Sequence, residues 1–138
     1  MSDQLTRVIV AGVLLLHGLG HAGALGALAW IGLRGGDAGP WLPAKSWLVA
    51  SLPSSTATAI AATFWIVACV GFVAAAAGFW FELGEWWRAV AVVSALVSLV
   101  GIVLFFGTWP TFNTIAALAV DVAVLVAILW LDWPAHTA

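Results

Sequence analysis

Four stretches of this chain, at about 7–33, 56–81, 87–106 and 112–131, each carry the roughly 20 mainly apolar residues that a helix needs to cross a bilayer. No other feature restricts the fold as much. Of the 138 residues, 64% are hydrophobic and 7% are charged, whereas soluble domains carry about 25% charged residues. A soluble core at this length could not hide so much apolar surface. The expected fold is therefore all-α: a single four-span transmembrane domain over residues 1–138, with lipid as its main solvent.

The connections refine that expectation. "ELGE" (82–85) and "GTWPT" (107–111) are short, so they join antiparallel neighbours and predict an up-down four-helix bundle. The first connection, "RGGDAGPWLPAKSWLVASLPSS" (34–55), is longer. Pro43 can open a helix there and Pro53 can close it, which brings Trp41, Lys45, Leu48 and Leu52 near one another. A short interfacial helix across one mouth of the bundle is the expected result. Trp30, Trp41, Trp47 and Trp109 group at one membrane boundary, and Trp80, Trp86, Trp87, Trp130 and Trp133 at the other, as an aromatic belt. Only Trp65 falls well inside a span.

Several function classes drop out. With one cysteine, Cys69, no disulfide can form within the chain. The net charge of −2 and the lack of a basic stripe exclude nucleic acid as a partner. The head "MSDQLTR" is weakly charged and the apolar run behind it exceeds a signal-peptide core, so the first span is expected to be retained. Arg7 and Arg88 fall on the side of both termini, Arg34 and Lys45 on the other, so basic residues do not set the orientation. A small polar N-terminus usually stays behind, which places both termini in the cytoplasm and the protein in the cell membrane as a multi-pass chain.

Ten residues are formally charged, four basic and six acidic. Nine of them fall in loops, tails or span ends, where Glu82 and Glu85 flank Arg88 in a solvated turn. Asp121, in "LAVDVAVLV", is the exception near the middle of the fourth span. A carboxylate at that depth costs a few kcal/mol and normally faces the protein interior. His17 and His21, in "LLLHGLGHAG" (14–23), match it in depth and share one helix face, being four residues apart. Asn113, Ala117 and Asp121 form a row on the fourth helix, and Ser94, Ser98 and Gly101 a small polar stripe on the third. Thr63 and Cys69 are the polar residues offered by the second. His17, His21, Asp121, Asn113, Ser94 and Ser98 are thus the candidate polar centre. Gly18, Ala22 and Gly26 make a small-xxx-small row that admits a neighbouring helix, in the same chain or in a homo-oligomer.

Three chemistries suit the histidine pair. The imidazoles can be interhelical hydrogen-bond partners of Asp121, Ser94 or Ser98. They can chelate a divalent metal, with His17, His21 and Asp121 as ligands. The intervening "GLG" has no glutamate, which removes the general base of a zinc protease. Or a His–Asp couple can transfer protons or bind a ligand. Haem is disfavoured, because two histidines four residues apart on one helix cannot grip its opposite faces, and the only other histidine, His136, lies in the tail.

The stretches "LLLHGLGH" (14–21) and "WPTFNTIAALAVDVAVL" (109–125) resemble the small four-span bacterial membrane proteins grouped as DoxX-like. The resemblance implies a four-helix integral membrane protein with redox or quinone-associated roles, and it transfers no catalytic residue. The reading that follows is an accessory or ligand-binding membrane protein with a buried His/Asp centre at the bilayer midplane. The alternative is a membrane-embedded enzyme acting on a lipid-soluble substrate. The bilayer and a hydrophobic small molecule are its expected partners.

Overall fold

The computed structural model describes residues 3–34 and 42–134. Among these residues there are four α-helices and no strand: α1 (Asp3–Arg34), α2 (Ser54–Trp80), α3 (Trp86–Leu104) and α4 (Thr111–Leu125). The last helix continues through Val126–Trp130 as a π-helix. Each of the four is long and apolar enough to cross a membrane. At 1.5 Å per residue, α1 extends about 48 Å, beyond the ~30 Å hydrocarbon layer. Pro53 and Pro110 stand immediately before α2 and α4, where a missing N–H costs nothing. Gly84 (φ 100) and Gly107 (φ 91) take the left-handed backbone conformation in the two short turns.

The buried side chains form two apolar clusters. One contains Val10 and Leu14 of α1, Phe72 and Ala75 of α2, Trp87 and Ala91 of α3, and Val124 of α4. The other contains Ala24 and Leu28 of α1, Ala57, Ala61 and Trp65 of α2, Ile102 of α3, and Ala117 of α4, with Phe105 and Trp109 beyond the end of α3. In α1, α3 and α4 a short polar interval separates the residues of one cluster from those of the other. That interval holds His17 and His21, Ser98, and Asp121.

Small residues let the backbones meet. A Cβ on Gly18 would lie 3.1 Å from the Cys69 carbonyl oxygen and 3.2 Å from Phe72 Cβ, so α1 rests directly on α2 there. Between α2 and α3, Gly78 lies against Trp87, Gly71 against Ser94, and Gly101 against Phe64. Dispersion contacts at such short range are the main attraction between helices in lipid. Of the expected row Gly18, Ala22 and Gly26, only Gly18 is packed. Ala22 and Gly26 face outward, and a Cβ on Gly26 would touch nothing.

The expected interfacial helix does not form. Residues 42–46 have no regular structure and a turn follows at 48–51. Tertiary contacts override the local signal. The Leu42 N–H donates to the Thr108 carbonyl at 3.0 Å, Trp47 Nε1 donates to the Val103 carbonyl at 2.6 Å, and Ala44 is buried in the second cluster. The segment is thereby pinned to the α3–α4 turn, and Pro53 opens α2 instead of closing a helix. Trp41 of that expected helix, along with His136, lies outside the described residues.

Arg88 departs from its expected solvated turn. It is 8% exposed, pairs with Asp132 and donates from Nη1 to the Pro134 carbonyl at 2.6 Å. Glu82 pairs with Arg7 of α1. The side-chain partners of Arg88 thus come from the segment after α4, and that of Glu82 from α1. The aromatic belt is corrected too: Trp87 and Trp109 are interior residues, 4% and 7% exposed.

Candidate functional site

α1 presents its buried face through Leu14, Gly18, His21, Ala24 and Leu28, a three-and-four spacing that keeps one stripe toward the bundle. On α3 the corresponding stripe is Ala91, Ser94, Ala95, Ser98, Gly101 and Ile102; on α4 it is Thr114, Ala117, Asp121 and Val124. These three stripes bring His17, His21, Ser98 and Asp121 together. His21, Ser98 and Asp121 have no exposed surface.

The four side chains form one continuous hydrogen-bonded chain. His17 Nε2 is 2.8 Å from Asp121 Oδ1, Ser98 Oγ donates to Asp121 Oδ2 at 2.6 Å, and Ser98 Oγ is 3.1 Å from His21 Nε2. The Ser98 hydroxyl hydrogen is committed to Asp121, so its oxygen accepts from the Nε2–H of His21. A neutral His21 then carries a bare lone pair on Nδ1, and that atom is buried with no partner among the described residues. The imidazoles stand edge to face with centroids 5.1 Å apart, and Phe72 packs on His17 at 4.6 Å.

A buried carboxylate is costly unless its charge is balanced. The pair His17–Asp121 is neutral overall when one proton is shared across the 2.8 Å contact, residing on Asp121 Oδ1 or on His17 Nε2. In either form His17 keeps a second hydrogen on Nδ1. His17 is the one member of the chain with exposed surface, its side chain 8% accessible. The arrangement places a proton shared by His17 and Asp121 at its centre, with the His17 ring at its edge.

The other expected site residues fall elsewhere. Ser94 is buried, but its hydroxyl donates to the Val90 carbonyl at 2.7 Å and lies against Gly71, outside the chain. Asn113 is exposed and takes no part. Thr114 occupies the inner face in its place. At 100° per residue, position 114 lies about 20° from Asp121 around the helix and position 113 about 80° away. That angle was the available signal, and the i, i+4, i+8 row concealed it. Thr63 faces outward and donates to the Ala59 carbonyl.

The three expected metal ligands are engaged in hydrogen bonds in this structure. Among the described residues no group of three His, Cys, Asp or Glu side chains is placed to hold an ion. His17 Nε2 is bonded directly to Asp121 Oδ1, and His21 Nε2 to Ser98.

Trp109 is the residue missed by reading tryptophans as a belt. Its ring lies 5.2 Å from that of His21 and 5.4 Å from that of Trp65, closing one end of the polar chain. No family model, curated protein or solved structure matches this chain.

Proposed function

We infer that this is a multi-pass membrane protein of ligand-binding or accessory type, in which a His/Asp centre at the bilayer midplane offers a hydrogen bond or proton to a lipid-soluble molecule. The observation that carries the reading is the chain His21–Ser98–Asp121–His17, sealed everywhere except at His17. A donor N–H at the bundle edge is complementary to a carbonyl oxygen on a molecule dissolved in the bilayer. A DoxX-like resemblance, with its quinone-associated roles, agrees with that class of ligand.

An up-down arrangement of spans fits the packing. The first cluster draws on the early part of α1, the late part of α2, the early part of α3 and the late part of α4; the second cluster reverses each choice. This reading keeps both termini cytoplasmic. Gly20, Gly23 and Gly26, where a Cβ would meet nothing, leave an open face on α1 that suits a second copy of the chain.

The test uses the full chain in lipid nanodiscs with ¹⁵N-labelled histidine, titrated with a short-chain alkyl quinone. A saturable shift of the His17 Nδ1 resonance, lost in Asp121→Leu, is the expected result. Shifts that grow linearly with quinone, or that are the same in the variant, overturn the reading. An acid–base enzyme is the second reading, favoured by the direct His17–Asp121 contact. It requires turnover that both His17→Phe and Asp121→Asn abolish.

A further inference from the structure

Three buried polar atoms have no hydrogen-bond partner among the described residues: His21 Nδ1, at one end of the hydrogen-bonded chain, Trp65 Nε1 and Thr108 Oγ1. Two of them belong to residues that pack on one ring, and the third to that ring's neighbour in the chain. His21 and Trp65 both pack on Trp109, and Thr108 precedes it in the chain. The three residues are 0%, 0% and 2% exposed. Buried polar groups are almost always paired, and ordered water is the usual partner where the protein supplies none. The three atoms are also chemically complementary. The indole N–H donates, the imidazole lone pair accepts, and the hydroxyl does both.

Thr108 also lines an open pocket of about 580 Å³ between the 42–54 segment and the end of α3, with Lys45, Ser46 and Ser54 on its walls. That pocket lies beside the second apolar cluster, which contains Ala44, Ala57 and Trp109. The first cluster, on the other side of the polar chain, contains none of the three unpartnered atoms.

We propose that this is a water-binding access route, leading from the loop pocket past Thr108 and Trp109 to His21. Water held by Thr108, Trp65 and His21 connects the pocket to the chain that ends at His17. A proton taken up at His21 Nδ1 releases the Nε2 proton to Ser98 Oγ, which passes its own hydrogen to Asp121 Oδ2; Asp121 then gives the Oδ1 proton to His17. Each bond formed is matched by one broken, and the ligand at His17 receives the last proton. The proposal rests on the proton-handling reading of the site and adds its source: the aqueous face bearing the α1–α2 and α3–α4 connections.

Hydrogen–deuterium exchange of the full chain in nanodiscs, labelled with ¹⁵N at tryptophan and at backbone amides, tests it. The exposed Trp130 indole is the fast reference, and the amide of fully buried Ala68 is the slow one. The Trp65 indole N–H is expected to exchange at least about 100-fold faster than the Ala68 amide, because no opening of the bundle is needed. Thr108→Val is expected to slow Trp65 by about 10-fold with Ala68 unchanged, and Thr108→Ser to restore the rate. Trp65 protection equal to that of Ala68 means a dry cluster and overturns the proposal, whether or not the variants fold. Equal Trp65 rates in wild type and Thr108→Val overturn the path through Thr108. The quinone titration is read at His17, so the two ideas fail separately: rapid Trp65 exchange with no saturable shift keeps the route and removes the ligand site.

Discussion

The Nε2 of His17 lies 2.8 Å from Oδ1 of Asp121, so two side chains 104 positions apart join the first helix to the last. Ser98 reaches the same carboxyl from α3. Asp121 is thus the point at which three of the four helices meet through hydrogen bonds, and changes there should act on stability as well as on chemistry.

Replacing Asp121 by leucine removes both acceptors and leaves His17 and Ser98 without their partner, at an expected cost of about 1–3 kcal/mol. Asp121→Asn keeps an oxygen and a nitrogen in place, and the His17 ring can change tautomer to match. That variant should lose less than about 1 kcal/mol. Reversible unfolding in mixed detergent micelles measures both, and equal losses would contradict the hydrogen-bonded geometry.

A double-mutant cycle on His17→Phe and Asp121→Leu should yield a favourable coupling of about 0.6–1.7 kcal/mol, the range from the average to the largest value that such cycles give for hydrogen bonds between helices in membranes. Ser94→Ala with Asp121→Leu should be additive, because the Ser94 hydroxyl is bonded to its own helix.

The inner face of α4 makes a paired prediction. Thr114→Val should destabilise the bundle by about 1 kcal/mol, since the buried hydroxyl bonded to Pro110 is lost. Asn113→Val should be close to neutral, because Asn113 faces outward. Thermal inactivation of purified protein ranks the two, and the opposite order would mean that α4 is rotated.

Glycine positions separate packed from open faces. A Cβ on Gly101 would come within 2.8 Å of Phe64 Cβ, so Gly101→Ala must displace α3 from α2 and is expected to cost about 1–3 kcal/mol. Gly23→Ala meets nothing and should stabilise α1 by up to about 1 kcal/mol through helix propensity. If Gly23→Ala instead weakens a cross-linkable dimer, that face is occupied by a second copy.

The two arginine pairs should differ. Arg88 is nearly buried and holds the segment after α4 through Asp132 and the Pro134 carbonyl, so Arg88→Ala should expose that segment to limited proteolysis. Arg7 and Glu82 are 39% and 62% exposed, and Arg7→Ala should change stability by less than about 1 kcal/mol.

Much of the architecture is determined by the sequence alone. Four long apolar runs can satisfy their backbones in lipid only by hydrogen bonding within themselves, so length and hydropathy suffice to mark four helices. Depth was legible as well: His17, His21 and Asp121 sit at matching positions along their spans, and a carboxylate at that depth must turn inward. Tertiary structure decided everything that depends on helix rotation and on contacts between distant segments. Rotation separates Thr114 from Asn113 by a single residue step, and a hydropathy run carries no such angular information when nearly every position is apolar. The 42–53 segment had a helical signal of its own, yet the Leu42 N–H bonds to the α3–α4 turn and the Trp47 indole to the end of α3. Trp109 looked like a boundary residue because tryptophan favours both the interface and a packed interior, and only the neighbouring rings of His21 and Trp65 distinguish the two.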